Sequence, residues 1–107
     1  MLRIHPVILQ VAAEVAPLIG DIKRHDPNLA GQLARAVPSV PLNTSEGAYS
    51  GGRNRHARYQ TALGSARETL SCLETAVAMR YIADVDAGLM DRLDRVIATL
   101  VKLVRGR

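Results

Sequence analysis

The chain has 107 residues, which gives room for one domain, taken as residues 1–107, and none for a two-domain enzyme. Aliphatic residues supply nearly all of its 48% hydrophobic content, which excludes a disordered chain. The chain lacks Phe and Trp, so it does not have the stacking aromatics of RRM-like and OB-like nucleic-acid binders. One cysteine excludes an intramolecular disulfide and a multi-cysteine zinc site, and a net charge of +4 is modest for a nucleic-acid binder.

The first predicted helix carries its apolar residues on one stripe. They recur at steps of three and four residues, at Ile4, Ile8, Val11, Val15, Leu18 and Ile22. Pro17 falls on the opposite polar row, where a lost hydrogen bond can open toward water. Because polar residues interrupt this stretch, we expect neither a membrane span nor a secretory signal, and we expect a cytoplasmic protein.

The second predicted helix begins at Asp26-Pro27, a typical N-cap followed by proline at the first helical position. Its apolar stripe turns polar at Asn43, and we expect Pro38 and Pro41 to kink or interrupt it. The flexible composition of residues 49–52, YSGG, predicts the link to the next helix. Since this link is short, the second and third helices are expected to run antiparallel.

The third predicted helix covers roughly residues 54–82, with a clean apolar repeat from Tyr59 to Tyr81. Asp84 and Asp86 are candidate N-caps for a fourth helix. This helix has two adjacent apolar rows, Leu89, Leu93, Val96, Leu100 and Leu103 on one and Met90, Ile97, Val101 and Val104 on the next. Two apolar rows are wider than the single apolar face that a helix needs to pack within one subunit. We therefore expect the fourth helix to contact something outside its own subunit. No alternating pattern predicts a strand.

Cations cluster at both ends of the second half of the chain. The first cluster is Arg53, Arg55, His56 and Arg58; the second is Arg92, Arg95, Lys102, Arg105 and Arg107, with only Asp94 among them. Twelve of the fourteen cations are Arg, which favours bidentate contact with phosphate. An anionic partner and an ordinary solvated helix face both explain such clusters.

Polar residues at helical spacing flank the link between the second and third helices. Asn43 and Glu46 are three residues apart, as are Ser65 and Glu68, so the two pairs are expected to meet across the helix interface. One interpretation is a structural polar cluster, in which Asn43 and Ser65 donate to the carboxylates. Others are a ligand or partner site and a ferritin-like dimetal site, although no His stands at the matching spacing. No nucleophile motif or phosphate-binding loop is present, and we expect no cofactor.

The same region resembles the signature of the 23S rRNA intervening sequence protein family, also called four helix bundle proteins. The resemblance begins with residues 32–47, QLARAVPSVPLNTSEG, and continues at Tyr59, at residues 62–65 (ALGS) and at Glu68. The family commonly has Asn-Ile-Ala-Glu-Gly where this chain has Asn-Thr-Ser-Glu-Gly, and Phe where Tyr59 stands. Neither departure changes the polar pattern.

The resemblance implies an antiparallel four-helix bundle that forms a homopentamer, with a largely unknown molecular function. Accessory proteins of diversity-generating retroelements are a related group with the same pentameric form, and they bind a reverse transcriptase and nucleic acid. We therefore expect an all-α, up-down-up-down bundle in a ring, acting as a non-enzymatic scaffold for RNA or a nucleic-acid enzyme. The alternatives are a purely structural interaction protein and an enzyme that uses Glu46 and Glu68.

Overall fold

The computed structural model describes residues 2–106 and contains four α-helices joined by short links. The helices are α1 (His5–Lys23), α2 (Pro27–Ala48), α3 (Gly52–Ala78) and α4 (Ala87–Arg105). No strand occurs among the described residues, so the all-α class with four helices is confirmed. The radius of gyration of 13.8 Å is close to the value of about 13 Å expected for a folded chain of ~100 residues.

All four helices contribute to one hydrophobic core. Fully buried side chains come from the predicted apolar stripes, among them Val15 on α1, Leu33 on α2, Leu73 on α3 and Leu93 on α4. Burial of an aliphatic side chain of this size contributes about 1.5–3 kcal/mol, so these stripes supply much of the folding free energy. The predicted helical periodicity is therefore confirmed in each helix.

Two aspartates begin helices as the sequence indicates. The Asp26 carboxylate accepts a hydrogen bond from the backbone N–H of Leu29 at 3.0 Å, and Asp86 accepts one from Leu89 at the same distance. Each bond pairs an N–H group that the first turn of a helix leaves without an internal partner. Of the two candidates for α4, Asp86 is the cap, and Asp84 is exposed in the preceding link.

Helix α3 ends at Ala78, four residues before the predicted end. The Tyr81 N–H donates to the Ala76 carbonyl at 2.8 Å, and the Arg80 N–H donates to the Val77 carbonyl at 3.0 Å. This bond pair is a Schellman motif, and it requires a left-handed residue, which is Arg80 with φ +62°. Because this position is usually Gly, an ordinary helix stop signal is missing from residues 78–81, and the predicted boundary was wrong.

The prolines of α2 do not interrupt it. Pro38 and Pro41 both lie inside the continuous helix Pro27–Ala48. Pro38 is exposed, so the carbonyl that loses its helical hydrogen bond is close to solvent, and Pro41 is half-buried. Packing of the buried stripe, which includes Val37 and Val40, offsets the missing bonds.

Helix α1 is apolar enough to meet the length and hydropathy criteria of a membrane span, with a mean hydropathy of 1.2 over its most apolar stretch. Four of its residues, Ile8, Val11, Val15 and Ile22, are nevertheless buried in the shared core. A core helix satisfies the same criteria, so this composition is weak evidence for a membrane location.

The second apolar row of α4 packs within the subunit rather than projecting away from it. Met90 lines a pocket together with Leu73 and Val77 of α3, and Ile97 and Val101 are half-buried against the core. These side chains are only partly buried within the subunit, so the external contact through α4 stays a prediction.

Candidate nucleic-acid interface

Two arginines near the start of α3 hold it against the end of α2. Arg55 Nε donates to the Gly47 carbonyl at 3.1 Å, and Arg58 donates to the Asn43 side-chain oxygen at 3.3 Å. The Gly47 carbonyl belongs to the last turn of α2, where unpaired carbonyls and the helix dipole favour a cation. Both arginines are otherwise exposed, so they connect the helices while presenting positive charge to solvent.

The end of α4 lies beside this segment. Leu103 and Gly106 line a pocket of about 510 Å³ together with residues of α3 from Gly52 to Tyr59, including Arg53, Arg55 and His56. The fold thus brings the first predicted cation cluster next to the C-terminal part of the second. We call this surface the basic end and define it by Arg53, Arg55, Arg58, Lys102 and Arg105, all of which are exposed.

The charges of the basic end are not neutralised within the chain. Among residues 2–106, no carboxylate lies within ion-pair distance of any of its five cations. The start of α3 adds positive potential, because its N-cap, Gly51, has no side chain to accept from the first-turn N–H groups. Arg107, which the sequence also places in the second cluster, lies outside the described residues.

Arg92 and Arg95 do not belong to the basic end. Arg92 forms a two-pronged ion pair with Glu14 of α1 and lies 4.0 Å from Asp86. Its charge is therefore compensated inside the subunit, and it stabilises the contact between α1 and α4. Arg95 is exposed on α4, two turns before Lys102. The prediction that Arg92 belongs to the partner-binding residues is therefore corrected. The sequence did not reveal its pairing with Glu14.

The other end of the fold carries the opposite charge balance. A pocket of about 530 Å³ there is lined by four carboxylates and one cation, namely Glu14, Asp21, Asp84, Asp86 and Arg24. Two of the carboxylates, on Glu14 and Asp21, already pair with Arg92 and Arg24. The lining of this pocket is therefore more acidic than the lining of the pocket at the basic end.

The predicted polar cluster forms around a residue that the sequence analysis missed. The Asn43 side-chain amide donates to the Ser39 hydroxyl at 3.0 Å, and the Ser65 hydroxyl donates to the same oxygen at 2.7 Å. Ser39 therefore joins α2 to α3. Its position one turn before Asn43 was the signal that could have identified it.

Glu46 and Glu68 lie outside this cluster. Both side chains are exposed, and among residues 2–106 neither carboxylate accepts a hydrogen bond. An exposed carboxylate is hydrated and needs no protein donor, so the predicted bonds from Asn43 and Ser65 to these residues are wrong. The two carboxylates also do not assemble a metal site, since no three His, Cys, Asp or Glu side chains gather suitably in this range.

A close contact explains the glycine at position 47 in the segment that resembles the family signature. Gly47 is buried, and the Tyr59 ring, itself 5% exposed, lies directly against it. Next to them Thr44 is fully buried and donates its hydroxyl hydrogen to the Val40 carbonyl at 2.7 Å. The segment thus packs α2 closely on α3 just below the basic end, where its residues contact Arg55 and Arg58.

Cys72 has the properties of a core thiol. It is buried on α3, and burial raises its pKa, with a smaller contribution from the negative charge of Glu68. A raised pKa keeps the thiol protonated near neutral pH, which opposes nucleophilic reactivity.

Comparisons with known proteins agree with this fold. None of the curated proteins compared with the chain matches it. The chain is similar to the crystal structure of a protein of unknown function from the S23 ribosomal protein family of Bacteroides thetaiotaomicron, with a TM-score of 0.68 and 17% identity over 95% of this chain and 92% of that one. The model of the 23S rRNA-intervening sequence protein family matches residues 7–102. Neither description names an enzymatic activity, and the predicted resemblance is confirmed: this chain belongs to the 23S rRNA-intervening sequence protein family.

Proposed function

We propose that the protein is a non-enzymatic, cytoplasmic scaffold that binds RNA, or a partner carrying RNA, through the basic end. Its four helices alternate up and down, and the subunits assemble into a homopentameric ring. The alternating order is supported by the contacts between α2 and α3, in which later residues of α2 meet earlier residues of α3. Ser39 bonds to Ser65, Asn43 to Arg58 and Gly47 to Arg55.

The observation that carries the proposal is the convergence of unneutralised cations at the basic end. The pocket there joins Arg53 to Leu103, about 50 positions later, and Lys102 and Arg105 precede and follow Leu103 in the sequence. Among residues 2–106, none of the five cations of the basic end has a carboxylate within ion-pair distance. RNA phosphates supply the missing negative charge, and Arg forms bidentate contacts with them. The chain has no Phe or Trp, and Tyr49 is the one exposed tyrosine among the described residues, so we expect mainly contacts with the RNA backbone and weak sequence selectivity.

A ring strengthens this interaction. In a pentamer the basic end of each subunit repeats around the axis, so that a charge of +4 per chain becomes a continuous basic band. An RNA that contacts several subunits binds with a high effective concentration at each further site. Light scattering tests the assembly: we expect a mass about five times the 11.6 kDa of one chain, and a monomeric mass at all concentrations would contradict it.

Fluorescence anisotropy with a structured, labelled RNA tests the nucleic-acid interaction. The variant Arg53→Ala/Lys102→Ala/Arg105→Ala removes three cations of the basic end and spares Arg55 and Arg58, which hold the helices together. A matched control, Lys23→Ala/Arg35→Ala/Arg67→Ala, removes three exposed cations elsewhere. Both variants have the same net charge, so a difference between them reports the position of the charges.

We expect the wild type to bind at ~50 mM salt, with the logarithm of affinity falling linearly against the logarithm of salt concentration. The basic-end variant should bind at least about tenfold more weakly and with a shallower salt slope, roughly 0.7–0.9 lower for each lost phosphate contact. The control should retain most of the affinity. Absence of wild-type binding, or equal losses in both variants, would favour a purely structural interaction protein.

A further inference from the structure

The pocket between the start of α3 and the end of α4 has the size of a small-molecule site. Its volume of about 510 Å³ lies within the range of roughly 300–1,000 Å³ that is typical of ligand pockets. Contact with an RNA backbone needs only a positively charged surface, not a cavity. The pocket therefore requires an explanation beyond the charge of the basic end.

The part of α3 that lines this pocket has cations on both sides of an uncharged strip. Gly52, His56 and Tyr59 are spaced at four and three residues, so they share one face of the helix. Because an α-helix turns by about 100° per residue, Arg53 and Arg55 lie on opposite sides of that face. A ligand that lies over the strip can therefore contact two guanidinium groups at once.

One of these guanidinium groups is already held in place. Arg55 Nε donates to the Gly47 carbonyl at 3.1 Å, which uses one of its five N–H groups. Within residues 2–106, no hydrogen bond uses the other four. A guanidinium that is oriented in advance loses less conformational entropy when it forms a two-pronged contact with an anionic oxygen pair.

The Tyr59 hydroxyl is a buried residue's polar group without a partner. Tyr59 is 5% exposed, and within residues 2–106 its hydroxyl has no hydrogen-bond partner, whereas the Tyr81 hydroxyl donates to Asp26. No side-chain oxygen or nitrogen that is sealed from solvent in this range lacks a hydrogen bond, so the Tyr59 hydroxyl reaches solvent. Because Tyr59 lines the pocket, its hydroxyl opens into it. A buried tyrosine usually pairs its hydroxyl, which points to a ligand as the missing partner.

The floor of the pocket is apolar and its entrance is open. The two least exposed lining residues are Tyr59 and the half-buried Leu103, one from each helix. Gly52 and Gly106 add no side chains, and a Cβ atom at Gly52 would meet nothing within 4 Å. The pocket thus combines an apolar floor with cations at its mouth, which suits a ligand that has an uncharged flat body and an anionic group.

We propose that this pocket binds a nucleotide by its terminal phosphate, either a free nucleoside monophosphate or the phosphorylated end of an RNA; this inference deepens the proposed function and, for the RNA end, rests on it. The phosphate accepts hydrogen bonds from Arg53, Arg55 and the Tyr59 hydroxyl. The ribose and the base lie against Leu103, where an uncharged surface accepts any base.

Charge and shape both favour a terminal phosphate over an internal one. A phosphate monoester carries a charge of about −1.5 to −2 near neutral pH, whereas each internal phosphate of the backbone carries −1. Two arginines therefore attract the monoester more strongly. An internal nucleotide would also require the RNA chain to enter and leave the same cavity, whereas an end has only to enter it.

The test compares RNAs that differ only in a terminal phosphate. A hairpin with short single-stranded tails is labelled at its 3′ end and prepared with a 5′-phosphate or a 5′-hydroxyl; a 5′-labelled pair compares a 3′-phosphate with a 3′-hydroxyl. Fluorescence anisotropy measures the affinities. We expect one phosphorylated form to bind at least about tenfold more tightly than its hydroxyl counterpart, as charge-assisted hydrogen bonds to the extra phosphate charge require.

Two substitutions place the preference in the pocket. Tyr59→Phe removes the hydroxyl and keeps the ring that packs against Gly47, and Tyr49→Phe is the matched control, because it removes an exposed tyrosine hydroxyl outside the pocket. We expect Tyr59→Phe to reduce the preference for the phosphorylated RNA to about twofold or less, without changing the affinity for the hydroxyl form. Tyr49→Phe should keep the preference.

A second variant fills the cavity from an exposed position. His56→Trp places a bulky ring at the mouth of the pocket, and it should abolish the preference without loss of helix content by circular dichroism. Retention of the preference in both Tyr59→Phe and His56→Trp would overturn the assignment to this pocket.

Other outcomes separate this inference from the proposed function. Equal binding of all four RNAs, together with no binding of adenosine 5′-monophosphate in equilibrium dialysis, would overturn the nucleotide site and leave RNA binding by the basic end intact. If no RNA binds, the proposed function fails. The pocket is then tested by dialysis alone: binding of adenosine 5′-monophosphate in preference to adenosine, lost in Tyr59→Phe, would support it, and no binding would overturn it.

Discussion

The Tyr59 ring lies so close to the backbone of Gly47 that a Cβ atom at position 47 would come within 2.6 Å of ring carbon Cε1. Gly47 is in the last turn of α2, and Tyr59 is in the second turn of α3. The contact joins two residues that the sequence signature presents separately, twelve positions apart. It explains why the first must lack a side chain and why the second must be aromatic to fill the space.

The first prediction is that Gly47→Ala destabilises the protein, although Ala is the better helix former. The new methyl group must displace the Tyr59 ring, and such overpacking costs about 1–3 kcal/mol, which exceeds the ~1 kcal/mol gained from helix propensity. Urea denaturation measures the free energy of unfolding. Gly64→Ala is the control, because nothing lies within 4 Å of a Cβ there, and it should stabilise by up to ~1 kcal/mol. Equal effects at the two positions would refute the close-contact explanation.

The second prediction concerns the left-handed residue that ends α3. Arg80→Gly should stabilise the protein by about 0.5–1 kcal/mol, because Gly adopts φ +62° without the steric cost that a Cβ atom brings. The variant Arg80→Ala is the control for the loss of the arginine side chain, and it should show no such gain. Thermal unfolding of the two variants, followed by circular dichroism, measures the difference. A gain with both substitutions would point to the removal of charge instead of backbone strain.

The third prediction separates Ser39 from the carboxylates. Ser39→Ala should destabilise by ~1 kcal/mol, since the Ser65 hydroxyl and the Asn43 amide both lose the oxygen that joins them. Glu68→Ala should change stability by less than about 0.5 kcal/mol, because its exposed side chain has no hydrogen bond to lose. A large loss on Glu68→Ala would restore the carboxylate-centred cluster that the sequence suggested.

The fourth prediction is a pH dependence from Cys72. Burial raises the pKa of this thiol in the folded state, so unfolding releases its proton more readily once the pH exceeds the ordinary cysteine value of about 8.5. Stability should therefore fall as pH rises from that value toward the higher pKa of the folded state, and it should be unaffected by Cys72 below it. The difference in unfolding free energy between the wild type and Cys72→Ala, measured from pH 7 to 10, isolates this thiol from the tyrosines. A constant difference would show that its pKa is the same in both states.

The sequence was sufficient for the helices, because their signals are local. Apolar spacing of three and four residues identified the buried side of each helix, and the aspartates at positions 26 and 86 marked two helix starts. The end of α3 was misplaced because it depends on Arg80, whose left-handed conformation costs energy locally and is imposed by the links around it. A propensity argument places Gly, not Arg, at such a position.

The candidate site was harder to predict, because its contacts join residues far apart in sequence. The pairing of Arg92 with Glu14 spans 78 positions, and nothing in the local pattern distinguishes this arginine from Arg95. For the same reason, the sequence did not show that the two cation clusters are neighbours. Their proximity depends on the end of α4 lying beside the start of α3. Carboxylates were assigned to the polar cluster because their spacing suited it, but spacing does not tell whether a residue faces a neighbouring helix or solvent.

The first and last residues that the structure describes, Leu2 and Gly106, lie near the basic end, which matters for any fusion protein. Leu2 shares a pocket with Ala48 and Tyr49, while Gly106 shares one with Gly52, so both lie close to the link between α2 and α3. A polyhistidine tag joined next to either residue would lie beside the proposed RNA surface and would add positive charge there at a pH below about 6.5, where its imidazoles are protonated. The exposed pair Ala83 and Asp84, in the link before α4 at the other end of the fold, is the better place for an inserted label.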